Sequence, residues 1–187
     1  QDEGFNQSLV EIAQFKFGGL DSAFNNAGIL GDLGPVPEMP LDTWNDVLSI
    51  NLTSAFLAAK YQIPAMKKNG GGSIVFTSSF VGHTVGMPGM GAYAASKAGM
   101  IGLTQCLAAE HGSENIRVNA LLPGGTRTDM AGSDPEFLEF VAGMHSLKRM
   151  AEAEEIAKAA CFLLSGHASF VTGTAMLADG GNSINKT

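Results

Sequence analysis

Apolar positions along this chain follow two alternating patterns. Short unbroken runs, such as Ser73-Ile74-Val75-Phe76, alternate with longer stretches where apolar residues recur every three or four positions. The first kind reads as strands buried on both faces and the second as helices with one apolar face. In chain order the pattern predicts a helix over residues 6–17, stopped by Gly18-Gly19, and a short strand over residues 20–24. A Gly/Pro-rich loop over 31–40 precedes a long helix over about 41–68, capped by Asp42 or a neighbour. Its apolar stripe is Trp44, Val47, Leu48, Leu52, Ala55, Phe56 and Ala59. Next come a strand over 73–76, a helix over 92–111 and a strand over 116–122, ended by Pro123-Gly124-Gly125. Helices over 134–145 and 153–164 and a last strand over 175–177, closed by Asp179-Gly180-Gly181, complete the reading.

Apolar strands alternating with helices of ten or more residues predict an α/β fold, a doubly wound parallel sheet forming a single domain. No repeat or low-complexity linker interrupts it. In such sheets ligands bind beyond the carboxyl ends of the strands. Three polar, turn-forming segments follow strands directly: Asn25-Asn26-Ala27-Gly28, Thr77-Ser78-Ser79 and residues 123–128.

The second of these leads to the candidate chemistry. Tyr93 and Lys97 stand four residues apart at the start of a helix, hence on one face. An ammonium held near a phenol favours the phenolate and lowers the Tyr pKa from near 10. A hydroxyl from Ser78 or Ser79 could hold a substrate oxygen beside it, which makes a proton-transfer unit. Tyr-x-x-x-Lys is also common in helices, so a nucleotide site elsewhere in the chain is needed to give the pair meaning. Asn51 falls on or beside an apolar stripe and reads equally as a satisfied core amide or as a contact for water or backbone.

Composition narrows the partners. The 187 residues are 45% hydrophobic and carry a formal charge of −7, which argues against a nucleic-acid or anionic-membrane surface. Backbone N–H groups can still bind phosphate. Cys106 and Cys161 read as buried free thiols. His83, His111, His145 and His167 lack ligand spacing, so no metal site is expected. No apolar run reaches membrane-spanning length and the first residues lack a signal-peptide pattern, so the expectation is a soluble, cytoplasmic protein.

Taken together, Asn25-Asn26-Ala27-Gly28 after a strand, Asn51 within a helix, the Ser–Tyr–Lys set, Pro123-Gly124-Gly125-Thr126-Arg127-Thr128 and Asp179-Gly180-Gly181 closely resemble the short-chain dehydrogenase/reductase family. The likeness runs from about Asp21 to Gly181. It implies hydride transfer between NAD or NADP and a carbonyl/secondary alcohol pair on a Rossmann-like sheet. By resemblance, Tyr93 is the general acid/base, and Lys97 lowers its pKa and binds the nicotinamide ribose. Ser79, fourteen residues before Tyr93, orients substrate, with Ser78 left open. Asn51 holds a water in a proton relay to Lys97. Asn25, Ala27 and Gly28 line the adenine-ribose side, and Tyr93 and Lys97 also contact the cofactor. Pro123, Gly124, Thr126 and Thr128 hold the carboxamide and the phosphates. Residues 129–147, with Gly132 and Gly143 as hinges, correspond to a substrate lid. The long helices correspond to a homotetramer interface, with a second contact over 165–181. The partner is a small-molecule carbonyl or alcohol, and no nucleic acid or membrane is implied.

The sequence departs from the family at its start. The family opens with a strand, a Thr-Gly-x-x-x-Gly-x-Gly turn and a helix that cradle the pyrophosphate. No such motif is present. The expectation is therefore the C-terminal portion of the fold, a partial domain with its N-terminal βαβ units missing, on the order of 60 residues at ~30 per unit. The first strand is then left with one unpaired edge. The rival readings are a non-catalytic fragment or oligomerisation partner and, more remotely, an epimerase or dehydratase on the same scaffold. Of the remaining residues, Arg127 reads as a surface ion pair or a phosphate contact, and His83 as a solvent-exposed loop residue or a substrate contact.

Overall fold

A computed structural model of the protein describes residues 2–185. Helix α1 (Glu3–Phe17) starts three residues before its apolar period, because the Asp2 carboxylate accepts from the Phe5 N–H and caps it. It ends at Gly18, whose φ of 82° closes the last turn. Strand β1 (Ser22–Asn25) follows. The long predicted helix is real but composite: α2 (Leu41–Leu48), one π-helical stretch (Ser49–Thr53) and α3 (Ser54–Lys68). Pro40, not Asp42, precedes its first turn, and no side chain caps it. Asp42 instead lies within that turn, where its charge suits the helix dipole.

The remaining elements are β2 (Gly72–Thr77), α4 (Gly91–His111), β3 (Ile116–Pro123), α5 (Pro135–Met144), α6 (Ala153–Leu164) and β4 (Ala175–Ala178). The four described strands are all parallel, in the order β1-β2-β3-β4. Ala23, Ile74 and Val118 lie in register across the sheet.

Successive residues of β2 face opposite ways, and each face has its own cover. Ile74 and Phe76 pack with Ala55, Ala59, Ile63 and Met66 of α3 and with Met100 and Ala108 of α4. Val75 packs with Leu121, Ala160 and Leu163, beneath α6. The Rossmann-like double winding is therefore built on two cores separated by the sheet, and continuous apolar runs are what such strands require. Among the described residues β1 pairs on one side only, and Phe24 within it is exposed.

Two polar side chains of β3 tie the far end together. The Arg117 guanidinium donates to the carbonyls of Leu163, Ser165 and Val171, which satisfies the end of α6. Asn119 donates to the Val171 carbonyl and accepts from the Thr174 N–H at the start of β4. Cys106 and Cys161 are exposed, contrary to the expected burial. Their neighbours in sequence are apolar, but the helical period turns both thiols away from the sheet.

Candidate active site

Strand β2 ends at Thr77, so the next residues emerge at the carboxyl edge of the sheet, over the first turns of α4. The loop that follows comes against α4 at Ala94. Gly82 has a φ of 86°, and a Cβ there would strike the backbone of Ala94, so only glycine suits the position. The two serines diverge. Ser78 is buried and donates to the Lys97 carbonyl at 2.8 Å, which joins strand end to helix. Ser79 accepts from the Val81 N–H at 3.1 Å and hydrogen-bonds the Tyr93 side chain.

Lys97 is only 3% exposed. Its Nζ donates to the Thr77 carbonyl at 2.7 Å and stands 5.6 Å from the centre of the Tyr93 ring. Burial brings its pKa down to about 8. Tyr93 departs from expectation, because its pKa is raised above 10 rather than lowered. Burial disfavours the phenolate more than the Ser79 hydrogen bond favours it. The Lys97 ammonium directs a proton at the Thr77 carbonyl, and burial penalises its own charge as well.

Asn51 is fully buried in the π-helical stretch. Its amide accepts from the Ile29 N–H at 2.8 Å, donates to the Ile29 carbonyl at 2.9 Å and donates to the Ser96 hydroxyl at 3.0 Å. Ser96 in turn donates to the Tyr93 carbonyl at 2.7 Å. One side chain thus clamps the loop after β1 to the helix that carries Tyr93. A Cβ on Gly28 would lie 3.2 Å from both Asn51 Oδ1 and Lys97 Nζ, so the three segments converge there.

The other candidate binding residues fall into two groups. On the β1 side, Asn25 and Gln62 exchange a reciprocal pair of amide hydrogen bonds, which ties up the Asn25 side chain. Asn26 accepts from the Thr77 hydroxyl, and Ala27 is exposed. On the β3 side, Gly124 lies against Asp179 and His145, and Gly125 against Val141 and His145. Thr126 donates to the Gly124 carbonyl at 3.0 Å, and Thr128 is exposed just before a short turn, Asp129–Ala131. Arg127 pairs with Glu152 at 3.4 Å on the surface. An open hollow under this loop, lined by Gly124, His145, Arg149, Glu155 and Asp179, contains none of the proton-transfer residues.

A Cβ on Gly28 would crowd Asn51 and Lys97, and one on Gly124 would strike Asp179 and His145, so both glycines are set by packing within the protein. The Lys97 amine, set beside Gly28 and under the Tyr93 ring at the carboxyl edge of the sheet, suits the ribose and nicotinamide end of a dinucleotide. A glycine-rich strand–turn–helix of the pyrophosphate-binding kind is not found among the described residues. No cluster of metal-ligating side chains occurs among them either, and none of their helices is long and apolar enough to cross a membrane.

Residues 1–183 match the family model described as enoyl-(acyl carrier protein) reductase. The chain belongs to the short-chain dehydrogenase/reductase family. It is 39% identical over 174 residues to cyclohexanol dehydrogenase of an Acinetobacter species, covering 93% of this chain and 68% of the relative. It is 44% identical over 184 residues to 2,5-dichloro-2,5-cyclohexadiene-1,4-diol dehydrogenase of Sphingobium indicum, covering 94% and 72%. The solved aldohexose dehydrogenase of Thermoplasma acidophilum superposes with a TM-score of 0.92 at 30% identity, over 98% of this chain and 76% of that one.

As a short-chain dehydrogenase/reductase, the protein is an oxidoreductase of class EC 1.1.1.-, and the family generally uses NAD(P). Two residues of this dehydrogenase/reductase chain escaped the sequence reading. Ser96 sits one residue before Lys97 and links Asn51 to Tyr93, and its only sequence signal is a hydroxyl on the buried side of α4. His145 was set aside because it has no ligand spacing, yet it is 1% exposed and bonded at both ring nitrogens. His83 is exposed in its loop, as the plainer of its two readings held.

Proposed function

We propose that this chain carries the proton-transfer and nicotinamide end of an NAD(P)-dependent dehydrogenase that interconverts a cyclic secondary alcohol and its ketone. The observation that carries the reading is the Tyr93 phenol, hydrogen-bonded to Ser79 and set over the buried Lys97 at the carboxyl edge of a parallel sheet. NAD(P), when bound, supplies the hydride acceptor or donor. Ser79 holds the substrate oxygen. Tyr93 takes the hydroxyl proton in the oxidation and returns it to the carbonyl oxygen in the reduction. Lys97, when protonated, favours the phenolate and reaches the nicotinamide ribose.

Asn51 serves the site by clamping loop to helix, with a relay water to Lys97 beside it. The backbone of Asn25, Ala27 and Gly28 lines the adenine-ribose side, and Pro123, Gly124, Thr126 and Thr128 hold the carboxamide and phosphates. Burial raises the Tyr93 pKa, which favours the neutral phenol and suits it to act as an acid in carbonyl reduction.

The substrate class rests on two supports. Two relatives are named for ring alcohols. Met130, Phe137, Phe140 and Leu147 present apolar side chains around the lid, which suits a hydrocarbon ring. The outward faces of α3 and α4, with Phe56, Ile63, Leu103 and Leu107 around a groove, are proposed as the contact of a homo-oligomer, and native mass measurement tests this. A cytoplasmic location accompanies the reading.

The deciding experiment measures NAD(P)H consumption with a panel of cyclic ketones, and NAD(P)⁺ reduction with the matching alcohols. Turnover is expected, and Tyr93→Phe is expected to lower kcat by about 10²–10⁴-fold. Full turnover in Tyr93→Phe sinks the assignment of the acid/base.

A further inference from the structure

His145 follows the last residue of lid helix α5, and its ring is the joint between that helix and the loop after β3. Nδ1 lies 2.8 Å from the Val141 carbonyl, one turn back in α5. Nε2 lies 2.9 Å from the Gly125 N–H. A carbonyl can only accept, so Nδ1 carries the hydrogen. A backbone N–H can only donate, so Nε2 is a bare acceptor. Both bonds therefore require one neutral tautomer, and both are used.

Three glycines make room for this ring. A Cβ on Gly124 would come within 2.8 Å of Nε2, one on Gly125 within 2.9 Å of Cε1, and one on Gly180 within 3.3 Å of Cδ2. The Gly-Gly of the β3 loop and the glycine after Asp179 thus share a packing reason. They let two loops close over a buried imidazole.

The end of the lid is also held by Asn185, which donates to the Met144 carbonyl, and by Ser146, which donates to the Gly181 carbonyl. Val141 is the one buried residue of α5, while Phe137 and Phe140 are exposed. The Val141 side chain lies against Gly125, so α5 reaches the loop twice within five residues.

We infer that His145 is a positioning residue that couples the lid helix to the loop proposed above to hold the nicotinamide end of the cofactor. The inference rests on that reading for its functional meaning. Its structural content, that one ring transmits order between Gly125 and α5, stands without it.

Two variants separate the two bonds. His145→Asn keeps a donor near Nδ1 and removes the acceptor at Nε2. His145→Gln keeps an acceptor near Nε2 and removes the Nδ1 donor. Amide hydrogen exchange is measured on the wild type and both variants without ligand, with Tm as the check on folding, and NAD(P)H affinity is measured by fluorescence. The expected result is a split. His145→Asn speeds exchange at Gly125 and weakens NAD(P)H binding about 5–20-fold, the usual range for one lost hydrogen bond. His145→Gln speeds exchange across residues 136–144 and raises KM for the ketone with little change in NAD(P)H affinity.

Equal effects of the two variants at both places, tracking Tm alone, overturn the coupling. So does unchanged exchange in both. Should the variants be too unstable, exchange is measured on the wild type with and without NAD(P)H: slower exchange across residues 136–144 on binding supports the coupling, and unchanged lid exchange on binding overturns it. A wild-type protein that binds no NAD(P)H overturns the cofactor reading, and the exchange split without ligand then decides the coupling alone.

Discussion

Ser79, Tyr93, Lys97 and Asn51 are set on strand ends and on helices that pack directly against the sheet. Each has bonds to groups on a second element. Residues 126–144, by contrast, run from a loop into a short helix whose one buried side chain is Val141, with His145 just beyond it. The first region is held by buried side chains bonded across elements. The second is held at its start by Arg127, on the Ala151 carbonyl and Glu152, and at its end by Val141 and by Asn185 on the Met144 carbonyl, and it exposes most of its apolar side chains. The difference separates two tasks: proton transfer needs atoms held to within a few tenths of an ångström, whereas accepting different substrates needs a cover that adjusts.

The comparison is broken most directly at Asn51. Asn51→Leu leaves the Ile29 N–H and carbonyl without their partner inside the protein. A cost of about 3 kcal/mol is expected, a fall in Tm of about 6–12 °C for a chain of this size. Thermal unfolding measures it, and a fall under about 2 °C means that the proton-transfer region is not held as argued.

A smaller effect concerns charge. The Lys97 amine is expected to titrate near 8 in the free protein, which lysine-selective NMR reads directly. Its folded pKa lies below the unfolded value of 10.5, so the unfolded chain binds more protons between the two. Stability from this group therefore rises as pH increases from about 8 to about 10.5. The kcat/KM for ketone reduction moves the other way, because the charged amine that favours Tyr93 chemistry is lost above about 8. A Lys97 midpoint near 10.5 removes the case for a desolvated site.

The smallest stability effect belongs to the lid. Phe140 is 64% exposed, so Phe140→Ser is expected to change stability by no more than about 0.5 kcal/mol. It is expected to raise KM for an apolar ring ketone about 3–10-fold through lost apolar contact while sparing kcat. A large loss of Tm in this variant erases the contrast between the two regions.

Much of the fold was legible because parallel strands buried on both faces must be apolar without alternation, and this chain's runs at β2 and β3 are. The proton-transfer residues were legible because their spacing is local: Tyr93 and Lys97 are one helical turn apart, and Ser79 follows a strand. What escaped was contact between distant segments. The π-helical break at Ser49–Thr53 leaves no mark in the apolar period, and its reason, an amide reaching Ile29 and Ser96, lies in three separate stretches. The cysteines were misjudged for a related reason, since apolar sequence neighbours on a helix mostly point elsewhere.

The balance of charges at Tyr93 depended on tertiary structure altogether. Sequence put a lysine beside a tyrosine and so implied a lowered phenol pKa. Folding buried both and aimed the ammonium at the Thr77 carbonyl, and desolvation then outweighed attraction. His145 makes the same point from the other side. Alone it is an unremarked histidine, and it became the joint of lid and loop only when three glycines from two turns closed around it. The sequence by itself determined which elements form and which chemistry they carry, because those follow from local period and side-chain type. Which groups are buried together, and hence how each is charged and held, was decided by the packing of segments far apart in the chain.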